Sequence, residues 1–194
     1  MPVTSLGLVL GASFAAGLNV YAAVATLGLL HRFQVVTLPP SLEALAHPLV
    51  LTIASVLYVV EFFADKIPVV DHAWDAIHTF VRPPAAAVLA YAAVAGVPEP
   101  WRLMAALLAG TVALASHGGK ATARVAVNAS PEPFSNWAVS LGEDALAISL
   151  TWLAVTHPVL ALGLGLAIAL TVAAVWIVLL FFRLLRGMKR RVFG

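Results

Sequence analysis

Residues 158–182, PVLALGLGLAIALTVAAVWIVLLFF, contain no charged side chain. A helix rises about 1.5 Å per residue and the apolar core of a bilayer takes about 20 such residues, so this run is long enough to cross a membrane, within a helix expected over roughly 158–186. Weaker versions recur at roughly 5–31, at 47–65 with a possible earlier start at Ser41, from Trp101 into ASHGGKATARVAVNASPEPFSNW, and at 135–156. A sixth segment, PPAAAVLAYAAVAGVPEP, holds about 13 residues between its prolines, about 20 Å of helix. It is too short to span alone and implies a thinned bilayer or a place inside the bundle. Hydrophobic residues make up 62% of the chain and charged residues 10%, against about 25% charged in a soluble domain. The fold class expected is therefore all-α: a polytopic transmembrane bundle of about six spans.

Orientation follows from Lys and Arg. Arg183, Arg186, Lys189, Arg190 and Arg191 place the C-terminus in the cytoplasm. Six spans return the N-terminus to the same side, with Lys66, Arg82, Lys120 and Arg124 inside and only Arg32 and Arg102 outside. MPVTSLGLVLGASF lacks a basic start, so the first apolar segment is expected to be retained rather than cleaved.

Two pairs of segments resemble each other. LVLGASFAAGLNVYAA (8–23) matches LLAGTVALASHGGKAT (107–122) in a glycine, small residues and a polar break. SLEALAHPLVLTIASVLYVVEFF (41–63) shares SL, ALA, His-Pro and FF with 140–182. This suggests one membrane domain, 1–194, made of halves 1–98 and 99–194. Three spans per half would invert the second half, an arrangement that places sites at broken helices near the midplane.

The second break would fall at SHGGK (116–120) and its counterpart at AGLNVY (16–21), which contains Asn19. Gly118 and Gly119 each cost about 1 kcal/mol relative to alanine in a helix. His117, Lys120, Arg124 and Asn128 are spaced 3, 4 and 4 apart, one helical stripe. A re-entrant turn with free N–H groups and two fixed cations would suit an anion. The candidate substrate-binding set is thus His117, Gly118, Gly119, Lys120, Arg124, Asn128 and Asn19. The alternative is a helix that ends near residue 118, its cations reaching back to the interface.

Glu61 and Asp65 lie one turn apart with Tyr58 on the same stripe, and Glu143 and Asp144 extend a polar side formed by Asn136, Ser140 and Thr151. A carboxylate in lipid must be paired, protonated or wet. With Lys66, Arg82, Lys120 and Arg124 as counter-charges, Glu61, Asp65, Lys66, Arg82, Glu143 and Asp144 form either a buried ion-pair network or a proton or cation relay. VVDHAWDAIHTFVRPP (69–84) reads as a separate surface helix, with Asp71, Asp75, His78 and Arg82 toward water and Trp74, Ile77 and Val81 toward lipid. Asp75 and His78 stand at metal-ligand spacing, but no second such pair exists on a partner helix, so no metal is assigned. NASPEPFSNW (128–137) reads as a loop, with Ser130 and Ser135 as cap and turn residues. The chain has no cysteine. It also lacks the phosphate-loop, nucleophile-elbow and HExxH patterns, which argues against an enzyme and against any cofactor. A basic tail alone gives no case for nucleic-acid binding.

GLNVYAAV (17–24), EFFADKIPVVDHAWDAIHTFVRPPAAA (61–87), KATARVAVNASPEPFSNW (120–137) and EDALA (143–147) together resemble the bacterial integral membrane proteins grouped as domain of unknown function 4126. The resemblance implies a multi-pass protein of the bacterial inner membrane and supplies no catalytic or ligand residue. Two functions are expected to compete. One is a small carrier or flippase-like protein for an anionic solute or lipid headgroup. The other is a non-transporting accessory or scaffold subunit of a membrane complex. Partners would be membrane lipid and further copies or subunits.

Overall fold

The computed structural model describes residues 3–128 and 133–167, and all regular structure among them is helical. Contacts divide the chain into two units, Met1–Leu162 and Gly163–Gly194. The first holds α1 (Val3–Leu18), α2 (Val20–Arg32), a 3₁₀ helix (Pro40–Ala46), α3 (Pro48–Ala64), α4 (Pro68–Ala93), α5 (Glu99–Asn128) and α6 (Pro133–Thr156). A seventh helix, α7, starts in it at Pro158. The basic tail residues Arg183, Arg186, Lys189, Arg190 and Arg191, and Ser130, lie outside the described residues, and the loop expected over 128–137 is corrected in that Asn128 ends α5 and Pro133 to Trp137, with Ser135, belong to α6.

The break expected in the first segment is at Asn19, whose extended backbone (φ −154°, ψ 100°) separates α1 from α2. Asparagine suits that position because its side-chain oxygen accepts from the N–H of Ala22 at 2.9 Å, capping α2. Two residues earlier, Gly17 lets α5 approach closely: a Cβ there would collide with Ser116 Oγ and the Ala113 carbonyl. Gly11 does the same against Ala154 and Ala161. At both positions the absence of a side chain lets the neighbouring helices come close.

Two sequence expectations are corrected. The break or helix end at SHGGK is absent: α5 runs unbroken from Glu99 to Asn128. Gly118 and Gly119 lie on its exposed face with open space around them, while His117 and Lys120 on the opposite face are anchored in the bundle. Tertiary bonds through the inner face outweigh a glycine cost of about 1 kcal/mol each. Likewise the surface helix 69–84 and the short segment after Pro83–Pro84 are one helix of 26 residues, with both prolines inside it. Its partner α5 presents Gly110 at the prolines, where a Cβ would stand 3.3 Å from the Pro83 carbonyl oxygen, so the two helices are closely applied where the prolines weaken the ladder. The polarity of α4 is also the reverse of that expected. Asp71, Asp75, His78 and Arg82 are buried, whereas Phe80 is 81% and Ile77 59% exposed.

The same inversion recurs elsewhere in this unit, around an inner core that includes Val9, Leu18, Leu27, Leu42 and Leu150. Glu61, Asp65, Arg82, Lys120 and Arg124 are buried, while Phe63, Leu49, Val88, Leu107 and Trp101 are exposed. By length and composition one helix among the described residues, Phe134–Thr156, can cross a membrane, and the 3₁₀ helix with α3, bent by 64°, would make a second. The charges of α4 and α5 lower their mean hydropathy even though they face neighbouring helices.

Candidate functional site: a buried ion-pair network

The α5 stripe turns inward and meets α1, α3, α4 and α6. Lys120 Nζ donates to Leu18 O at 3.1 Å, Glu61 Oε1 at 3.3 Å and Asp65 Oδ2 at 2.7 Å. These use all three protons of the ammonium. Arg124 donates through Nε and Nη2 to Glu143 Oε2 (3.1 and 2.5 Å) and through Nη2 to Asp65 Oδ2 (3.1 Å). Its Nη1 donates to Asp65 O (2.6 Å) and Asn136 Oδ1 (2.7 Å). Arg82, from α4, donates to Glu61 Oε1 (2.8 Å), Gly17 O (3.0 Å) and His117 Nδ1 (2.6 Å), with Asp75 Oδ1 at 3.7 Å.

Each buried cation therefore sits at a helix C-terminus as well as beside a carboxylate. Gly17 O and Leu18 O are orphan carbonyls of α1, left open by the break at Asn19, and Asp65 is the C-cap of α3. Cations at these ends complement both the free carbonyls and the helix dipole. The N-terminus of α2 is complemented in the opposite sense: Asn19 Nδ2 donates to Asp144 Oδ1 at 3.0 Å. A second layer surrounds the network. His117 Nδ1 faces an Arg82 donor and so accepts, leaving its proton on Nε2 toward Asp75 O (3.0 Å) and Thr79 Oγ1 (2.9 Å). His78 Nδ1 meets Trp74 O at 2.8 Å and its Nε2 meets Tyr21 OH at 3.0 Å.

The structure thus brings together Glu61, Asp65, Arg82, His117, Lys120, Arg124 and Glu143, with Asn19 and Asp144 adjoining. Lys66 is set aside: its ammonium donates to Phe62 O (2.9 Å) and Ser140 Oγ (3.4 Å) and lies over the Phe62 ring. Asn128 belongs elsewhere, bonded to Asp71 Oδ2 at 2.7 Å where α5 ends beside the start of α4. Gly118 and Gly119 face outward and touch none of the network. Asp75, Tyr21 and His78 join the site although the sequence had assigned the α4 stripe to solvent. Their signal was the spacing of 4, 3 and 4 through Asp71, Asp75, His78 and Arg82, read with the wrong side facing in. Because Arg82, Lys120 and Arg124 are buried in ion pairs rather than placed in connections, they carry no orientation signal.

Residues 6–180 match the sequence profile of the family described as domain of unknown function 4126, so the chain belongs to that family. No curated protein and no solved structure matches it.

Proposed function

We propose that this chain is a small multi-pass membrane carrier whose internal ion pairs open and re-form around a guest. One observation carries the reading: Glu61, Asp65, Arg82, Lys120 and Arg124 are buried and mutually paired while many large apolar side chains, among them Phe63, Phe80 and Leu107, face outward. Lipid is the solvent in which that distribution is stable, since an exposed charge there is costly and an exposed leucine is not. Multi-pass topology with both termini in the cytoplasm of a bacterium belongs to the same proposal, as do the three-plus-three repeat and partnership with membrane lipid. His47-Pro48 and His157-Pro158 each stand at the start of a helix, a correspondence that favours the repeat.

The guest fits an anionic solute or lipid headgroup. Every donor of Lys120 and Arg124 is held by a carboxylate, an amide oxygen or a backbone carbonyl. An incoming carboxylate or phosphate would therefore exchange with one of these partners rather than enter an open pocket. Glu143 is the natural leaving partner, because its side chain is 11% exposed whereas those of Glu61 and Asp65 are fully buried. Such an exchange couples guest binding to release of a protein carboxylate, which then takes up a proton or meets water.

The test is flux in proteoliposomes, with inorganic phosphate and a short-chain anionic lipid as probes, comparing wild type with Lys120→Ala and Glu61→Gln. Loss of flux in Lys120→Ala is expected. Unchanged flux in both variants, or no flux of any probe in the wild type alongside co-purification with a fixed set of membrane subunits, would replace the carrier with an accessory role.

A further inference from the structure

The network holds more negative than positive groups. Glu61, Asp65, Asp75 and Glu143 each lie within ion-pair distance of Arg82, Lys120 or Arg124. Asp144 does not. It is 4% exposed, no cation among the described residues lies within ion-pair distance of it, and its one bond is to the neutral amide of Asn19. Its other oxygen, Oδ2, is buried without a hydrogen-bond partner among the described residues. That makes five carboxylates against three paired cations, and counting Lys66 still leaves a negative excess.

An ionised carboxylate in this position would be under-compensated on every side. The charged groups acting on it are Lys120 from α5 and Asp65 and Glu61 from α3 and its cap. Lys66 and the phenol of Tyr58 are also within electrostatic reach, and Glu143 precedes it on α6. The three carboxylates Glu61, Asp65 and Glu143 against the two ammoniums Lys120 and Lys66 leave it in a net negative field. The N-terminus of α2, reached through Asn19, offers roughly half a positive charge. No group of three His, Asp or Glu among the described residues is arranged to hold a metal ion, whereas a proton needs only one free carboxylate oxygen.

We infer that Asp144 is a proton-binding site: Oδ2 carries a proton at neutral pH, and Asn19 ties that proton to the junction between α1 and α2. The proton arrives from water as H⁺ and leaves as H⁺, with Oδ1 holding the Asn19 amide in both states. Ionisation puts a full charge opposite the α2 N-terminus and strengthens the bond to Asn19. Protonation weakens it and frees the junction to move. This deepens the carrier proposal by naming its coupling ion, and rests on that proposal for its purpose while its test does not.

The test is infrared difference spectroscopy of the full chain in phosphatidylcholine nanodiscs, in H₂O and D₂O. The wild type is expected to show a protonated-carboxyl C=O band at neutral pH that shifts on deuteration and is lost at alkaline pH. Asp144→Asn, which keeps an oxygen for Asn19, is expected to lose the band. Absence of the band in the wild type, or its persistence in a folded Asp144→Asn, overturns the site. Should that variant fail to fold, Asp144→Glu decides: a displaced band supports the site and an unmoved band overturns it. A band that depends on Asp144 in a protein that moves no solute would remove the carrier and leave the site; flux without the band would do the reverse.

Discussion

Replacing Lys120 with methionine keeps most of the side chain's length and removes only its charge and donors. In the folded chain that strips Glu61 and Asp65 of their shared cation and leaves the Leu18 carbonyl open at the end of α1. Removing one partner of a buried ion pair costs about 3–5 kcal/mol. The low end applies, because Arg82 still holds Glu61 and Arg124 still holds Asp65. With about 1 kcal/mol for the lost carbonyl bond, the total is about 3–4 kcal/mol. For a chain of this size that corresponds to a fall in Tm of about 6–16 °C. The chain's five tryptophans make unfolding readable by intrinsic fluorescence in detergent. Adding Glu61→Gln also takes from the buried Arg82 its nearest carboxylate, so the double variant is expected to be no more stable than Lys120→Met. A Lys120→Met protein melting within about 2 °C of wild type would refute the reasoning. A double variant clearly more stable than Lys120→Met would refute it equally.

The same contacts dictate the outcome of other substitutions. Arg124→Lys replaces five hydrogen bonds to Asp65, Glu143 and Asn136 with at most three, and is expected to lower stability by about 1–3 kcal/mol in the same melting assay. Asn19→Ala removes the α2 cap and the Asp144 bond and should cost about 1–2 kcal/mol; a neutral result would mean that the helix break does not depend on its cap. Gly118→Ala and Gly119→Ala, placed on an open helix face, are expected to be neutral or to raise stability by up to about 1 kcal/mol each; loss of folding or flux in either would restore the re-entrant turn. Gly17→Val, by contrast, drives a side chain into Ser116 and the Ala113 carbonyl and is expected to prevent recovery of monodisperse protein.

Much of the site was legible because charge in an oily chain is rare enough to stand out. The spacing of His117, Lys120 and Arg124 put them on one face, and that face turned inward. Glu61 with Asp65 and Glu143 were recognisable as groups in need of partners, and the break at Asn19 was visible in GLNVY. What sequence could not provide was who meets whom. Pairing Arg82 with Glu61 depends on how α4 is rotated, and its polar stripe reads as the water-facing side of a helix at the membrane surface, whereas here the stripe is the inner face. Local propensity misled at two points for one reason. Gly118–Gly119 and Pro83–Pro84 weaken a helix in isolation, yet the lateral bonds of His117, Lys120 and Arg82 hold both helices continuous.

The inverted polarity can be probed directly, because a chain without cysteine accepts single-cysteine spin labels cleanly. Labels at Phe80, Val88 and Leu107, three exposed apolar positions, would be relaxed in nanodiscs either by oxygen, which concentrates in lipid, or by a water-soluble nickel chelate. Strong relaxation by oxygen and little by nickel at all three is the expected result. Strong relaxation by nickel at these positions would put the apolar faces in water and remove the lipid setting on which the carrier proposal rests.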